Sequence, residues 1–179
     1  YRQLANHGYK LIIFRVHSGL LKGEEGIGDT IWLFTSERYQ RTKYFMAQLR
    51  DQVTVARTSE TSPAIFAIGA RFITNVMEGR FDNTAIIVMG CAAFNTDELA
   101  RAFTQRGAST YIGWDVSVGL SYVDDAIAVL VEKLCSEELS VAEAVAETMK
   151  EKGPDPNNNA VLKYYPQASA NQTVRQLIE

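Results

Sequence analysis

Apolar residues are distributed along this chain in two rhythms. Near-continuous runs such as Tyr9-Lys10-Leu11-Ile12-Ile13-Phe14-Arg15-Val16 and Thr84-Ala85-Ile86-Ile87-Val88-Met89 fit strands covered on both faces, as in a parallel sheet. Thr110-Tyr111-Ile112-Gly113-Trp114 is a third such run, and 30–35, 52–56, 64–68 and 161–165 are shorter strand candidates. Between the runs the spacing turns helical: weakly over 39–49, then over 70–78 with Phe72, Ile73, Val76 and Met77 on one face, and again over 121–135. Asp97 and Glu98 open a helix that reaches Arg106 and is closed by Gly107. Ser140-Val141-Ala142-Glu143 spells a capping box for another helix ending near Gly153. Residues 2–7 read as the end of a helix with Gly8 as its left-handed cap.

Strands alternating with helices predict an α/β fold, a mostly parallel central sheet with helices on both faces. The chain of 179 residues suits one domain. It opens inside a helix that feeds the first strand, so an N-terminal part of the domain is expected upstream.

Composition narrows the classes. The chain is 46% hydrophobic and 22% charged, neither a disordered nor a membrane composition. A net charge of −3 with no Lys/Arg cluster gives no reason to expect nucleic acid. No run is long enough to span a bilayer and no signal-peptide pattern opens the chain, so the expectation is a soluble protein without a membrane partner, cytoplasmic rather than secreted. Two cysteines, Cys91 and Cys135, are too few for a disulfide framework.

Ligands and catalytic groups gather at the carboxyl ends of the strands in open parallel sheets. His17 and Cys91 each follow one of the two strongest runs, so neighbouring strands would bring both to one rim. A thiolate attacks, and a nearby imidazole takes the thiol proton and hands it to the leaving amine. Gly19 and Gly90 beside the pair leave room for a substrate backbone and for N–H donors to an oxyanion. The plain alternatives are a core cysteine and a loop histidine, both common at strand ends.

Other candidates are weaker. His7-Gly8 follows a helix, Cys135 ends one, and Asp124 and Asp125 sit in a first turn where acids are favoured. Glu24, Glu25 and Asp29 form an acidic Gly-rich loop that is a Ca2+ candidate, but without the alternation of a calcium loop a solvated loop is the better reading. The glycines 23, 26 and 28 do not lead a strand into a helix, as a phosphate loop does.

A strand ending in His17-Ser18-Gly19 and a later one ending in Gly90-Cys91 resemble the caspase-like superfamily of cysteine peptidases, which includes caspases, metacaspases, legumain, clostripain, separase and gingipains. The resemblance covers 9–126 and implies a three-layer sandwich with the His17–Cys91 pair as catalytic dyad. It also implies oxyanion donors on the backbone near Ser18, Gly19 and Gly90, and no cofactor. Gly113-Trp114-Asp115 stands where caspases carry Ser-Trp-Arg to read an acidic P1 residue. An Asp there inverts the preference to Arg or Lys through a charge-assisted bond. Its alternative role is a strand-end cap, and Trp114 is either pocket wall or core.

Two features depart from the family. Ser18 stands where relatives have Gly, and the long His–Cys interval implies an insertion over about 22–80, a lid or a substrate-facing β element. The expected function is a cysteine endopeptidase acting on peptide or protein substrates, self-processing at a loop cation such as Lys22, Arg57 or Lys152. The rival reading is a caspase-like interaction module that no longer cleaves; a nucleotide or flavin binder lacks its phosphate motif.

Overall fold

The computed structural model describes residues 1–21 and 29–179. A single 3-10 turn, Leu4–Asn6, leads into β1 (Leu11–Phe14), β2 (Ser18–Leu21) and β3 (Thr30–Arg38). The short helix α1 (Phe45–Leu49) precedes β4 (Val53–Ala56) and β5 (Ile65–Ile68), and α2 (Ala70–Asn75) precedes β6 (Thr84–Val88). Then come α3 (Glu98–Gln105), β7 (Ala108–Trp114), α4 (Leu120–Cys135), α5 (Val141–Lys152), β8 (Leu162–Tyr165) and α6 (Val174–Ile178).

These strands form two sheets. The first has the order β1-β6-β7-β8, with β1, β6 and β7 parallel and β8 antiparallel at the far side. The second, β2-β3-β5-β4, is wholly antiparallel and occupies the interval between the His17 and Cys91 strands. The chain is therefore an α/β protein with a mixed, mostly parallel sheet.

All five residues of β6 are buried, and the pleat explains why the run is continuous. Ile86 and Val88 face a core shared with Ile73 of α2, Leu99 and Phe103 of α3, and Leu33 and Ile68 of the second sheet. Ala85 and Ile87 face a second core with Ile127 and Leu130 of α4, Val145 of α5 and Leu177 of α6. The layer on one face of the first sheet is thus helical, and the layer on the other combines α2 and α3 with the inserted sheet.

The expectation of two-sided burial fails for β1. Among the described residues β1 pairs only with β6, and Ile13 is 41% exposed. The helical spacing over 39–49 shrinks to α1 because Tyr39 N–H donates to Ala64 O at 2.9 Å, prolonging the β3–β5 ladder through the start of that window. Residues 18–21, just beyond the first apolar run, form β2 because β3 supplies a partner strand. The Ser140–Glu143 capping box is present in both directions. No helix among the described residues is long and apolar enough to cross a membrane.

Candidate active site

The nucleophile candidate is held by backbone bonds on a rigid frame. Beyond β6, the segment 92–95 is tied to the segment that follows β7: Phe94 N–H donates to Trp114 O (2.7 Å) and Ala92 N–H to Val116 O (2.9 Å). Asn95 Nδ2 donates to Asp115 O at 3.1 Å, and the buried Tyr111 hydroxyl donates to Ala93 O at 2.8 Å. Burial pushes the Tyr111 phenol far up, so it stays a donor at any ordinary pH. Ala92 has φ of 53°, a left-handed conformation rare for a residue with a Cβ. Cys91 itself is half-buried, and its thiol donates to Val118 O at 3.6 Å.

His17 arrives by a different route. The pairing of β1 with β6 ends at Phe14↔Val88, with Met89 N–H donating to Phe14 O at 2.8 Å, and His17 and Cys91 lie three residues beyond their strands at the carboxyl edge. Ser18 joins the two segments, its hydroxyl donating to Cys91 O at 2.5 Å. Gly90 makes that approach possible, since a Cβ there would overlap the Ser18 hydroxyl and lie 3.1 Å from Val16 O. Arg15, in the same turn, forms a bidentate pair with Asp124 of α4 (2.9 and 2.8 Å). That hydrogen bond from Arg15 outweighs desolvation and holds the Asp124 carboxyl below its usual range.

The two side chains do not meet. Cys91 lines a cavity of about 240 Å³ with Ser18, Gly19, Asn95, Val116 and Ser117. The His17 ring lines a neighbouring cleft of about 550 Å³ and faces Phe34, with ring centroids 6.5 Å apart. Alternation along β2 is the cause: Ser18 points toward the Cys91 segment, and His17 and Gly19 point to the other face. Among the described residues no hydrogen bond joins His17 to Cys91.

Backbone donors follow from the same ladder. Phe34 N–H donates to His17 O at 2.9 Å, which makes His17–Phe34 a hydrogen-bonded pair. By alternation Gly19–Trp32 is the next such pair, so the Gly19 N–H is turned to β3. The N–H groups of Ser18 and Leu20 then face the open edge of β2, and Gly19 lines the cavity without donating into it.

The Gly113-Trp114-Asp115 triplet divides. Trp114 is fully buried, edge-on to Tyr122 at 5.6 Å, so it is core rather than pocket wall. Gly113 lies under Tyr111 and Ala93. Asp115 does what a strand-end cap does: Oδ1 accepts from Val161 N–H at 2.9 Å, and Oδ2 pairs with Lys163 of β8 at 3.4 Å. It touches the cavity only through Asn95. Asn95, Val116, Ser117 and Val118 escaped the sequence reading, because nothing in their local pattern marks them as lining a site.

Cys135 is exposed. Glu24 and Glu25, the 23, 26 and 28 glycines and Lys22 lie outside the described residues; among the described ones no cluster of three or more His, Cys, Asp or Glu is arranged to hold a metal ion. The chain matches no family model, and no curated protein matches it.

Proposed function

We propose that this chain is a cysteine endopeptidase of the caspase-like type, with Cys91 as nucleophile and His17 as proton shuttle. The observation that supports the reading is the parallel pairing of β1 with β6, whose following turns are joined by the hydrogen bond from the Ser18 hydroxyl to Cys91 O. His17 takes the Cys91 proton by a turn of the backbone at the seam between β1 and β2 that carries the ring away from Phe34, as apo hydrogen bonds of catalytic pairs are often unformed. The thiolate attacks the peptide carbonyl carbon and the S–C bond forms while the Ser18 N–H faces the oxyanion. The C–N bond then breaks, the amine leaves with the proton from His17, and water hydrolyses the thioester. Ser18 acts as a positioning residue through its bond to Cys91 O.

The preferred P1 residue is Arg or Lys. Asp115 supports this through its place beside Asn95; its present partner Lys163 has a half-exposed side chain that a substrate cation displaces. Arg57, exposed in the 57–62 loop, is the cleavage point for self-processing. Fluorogenic peptides ending in Arg, Lys, Asn or Asp test both levels. Turnover is expected on Arg and Lys and should fall by at least about 10³-fold in Cys91→Ala. Activity that survives Cys91→Ala removes the mechanism, and preference for Asp removes the Asp115 role.

One observation favours the non-cleaving interaction module: the His17 ring and the Cys91 thiol are each engaged elsewhere, with Phe34 and Val118. A well-folded sample whose Cys91 resists both iodoacetamide and an Arg-chloromethylketone decides for that module.

A further inference from the structure

The cleft that His17 lines has a volume of about 550 Å³, within the ~300–1,000 Å³ range of small-ligand sites. Arg15 and Arg38 line it together with His17, Ser36, Thr58 and Ser62. Arg15 is satisfied by Asp124. Arg38, exposed at the end of β3, has no ion-pair partner among the described residues. No carboxylate lines the cleft, so a chain of net charge −3 presents a cationic surface beside its proposed proton shuttle.

Resting on the peptidase reading, we propose that this cleft is the leaving-group subsite and that it takes a carboxylate. The chemistry fixes the side. The acyl half of the substrate stays on sulfur, in the Cys91 cavity. The amine half departs with the proton from His17 and so leaves toward the side from which His17 turns, where this cleft lies. An unpaired guanidinium at its rim offers a planar fork that matches a carboxylate bidentately. The carboxylate is either an Asp or Glu side chain just after the scissile bond or the C-terminus of a short leaving peptide.

The test uses internally quenched peptides with Arg at P1 and Glu, Gln or Lys in the first two positions after it, each as C-terminal acid and as amide. Binding of the same peptides to the Cys91→Ala protein is followed in parallel by fluorescence anisotropy. The carboxylate peptides should exceed their amide isosteres about tenfold in kcat/KM, the worth of one charge-assisted hydrogen bond. That ratio should fall toward one in Arg38→Ala, recover in part in Arg38→Lys and shrink with added salt. A Glu effect in the amide series identifies a side-chain carboxylate, and an effect confined to the free acid identifies the C-terminus. Cleavage without carboxylate preference, or a preference untouched by Arg38→Ala, overturns the subsite and leaves the peptidase standing. Absence of cleavage with Arg38-dependent binding of acidic peptides removes the peptidase and keeps the anion cleft. Neither cleavage nor such binding overturns the cleft as well.

Discussion

Cys91 and His17 each follow one of two paired strands by three residues, yet their supports differ in kind. Cys91 ends β6, a strand buried along its whole length between two cores, and its loop is strapped to β7 through Ala92, Phe94 and Asn95. His17 lies three residues past β1, the outer strand of the first sheet, and leads directly into β2, the outer strand of the second. One residue is set into the frame and the other sits on a seam between two sheets. The difference teaches where adjustment resides: the proposed proton shuttle, which would have to reorient between thiol and leaving amine, sits on the less constrained support.

The largest expected effect breaks the comparison outright. Ile86 is fully buried in β6, whereas Ile13, inside β1 and paired with Ile87, is 41% exposed. Ile86→Ala should destabilise by about 2–5 kcal/mol, through lost transfer energy and the cavity left behind. Ile13→Ala, with much of its side chain already in water, should stay below about 1 kcal/mol. Urea unfolding of both variants checks this. Equal losses mean that β1 is buried in solution by something covering its outer edge, and that His17 is as firmly seated as Cys91.

The same contrast explains what the sequence disclosed. β6 was legible because two-sided burial writes itself as an unbroken apolar run, and the Ser140 capping box because it is local chemistry. β1 imitated such a run without its burial, since an edge strand is recognised only by the neighbour it lacks. β2 was invisible because Ser18-Gly19-Leu20-Leu21 becomes a strand only when Leu33, Trp32 and Ile31 lie opposite. The capping box Thr173–Gln176 was spelled in the chain and would have revealed α6. Of the site, the two strand ends could be read, because each follows a run. That Ser18 would bond the Cys91 carbonyl, or that Lys163 would occupy Asp115, depends on residues brought together from distant segments. No local pattern encodes such meetings.

The seam itself can be probed at Gly90. A Cβ there overlaps the Ser18 hydroxyl and presses on the Val16 carbonyl, so Gly90→Ala must push the His17 turn away from the Cys91 loop. Overpacking of this sort destabilises by about 1–3 kcal/mol, and alkylation of Cys91 by an Arg-chloromethylketone should slow further than stability alone explains. Ser18→Gly removes the overlapped group. In that background the penalty of Gly90→Ala should drop by about 1 kcal/mol in a double-mutant cycle, the coupling expected of residues in contact. Additive penalties would mean that the two segments do not touch through this pair.

The smallest effect concerns the wall on the far side of Cys91. Val118, which accepts the thiol, precedes Gly119, whose N–H donates to Asp155 Oδ2 at 3.2 Å. Asp155 is fully buried and also accepts from Asn157 N–H at 3.3 Å and Asn158 Nδ2 at 2.8 Å. Desolvation pushes its carboxyl up, but the donors from Asn158, Asn157 and Gly119 together outweigh it, and the net direction is down. A carboxyl with a lowered folded pKa binds fewer protons in the folded than in the unfolded state. Its stabilisation is therefore present above the ordinary carboxylate range and is lost as pH falls through that range toward the folded value. Asp155→Asn should lower the melting temperature at neutral pH and flatten the acid limb of the stability profile. Because Asp155 holds the backbone that receives the Cys91 thiol, the variant should also alter the pH dependence of Cys91 alkylation while leaving contacts of the His17 ring untouched. An unchanged alkylation profile with a changed acid limb would assign Asp155 to the fold alone, and would place the whole support of the nucleophile in the straps from β7.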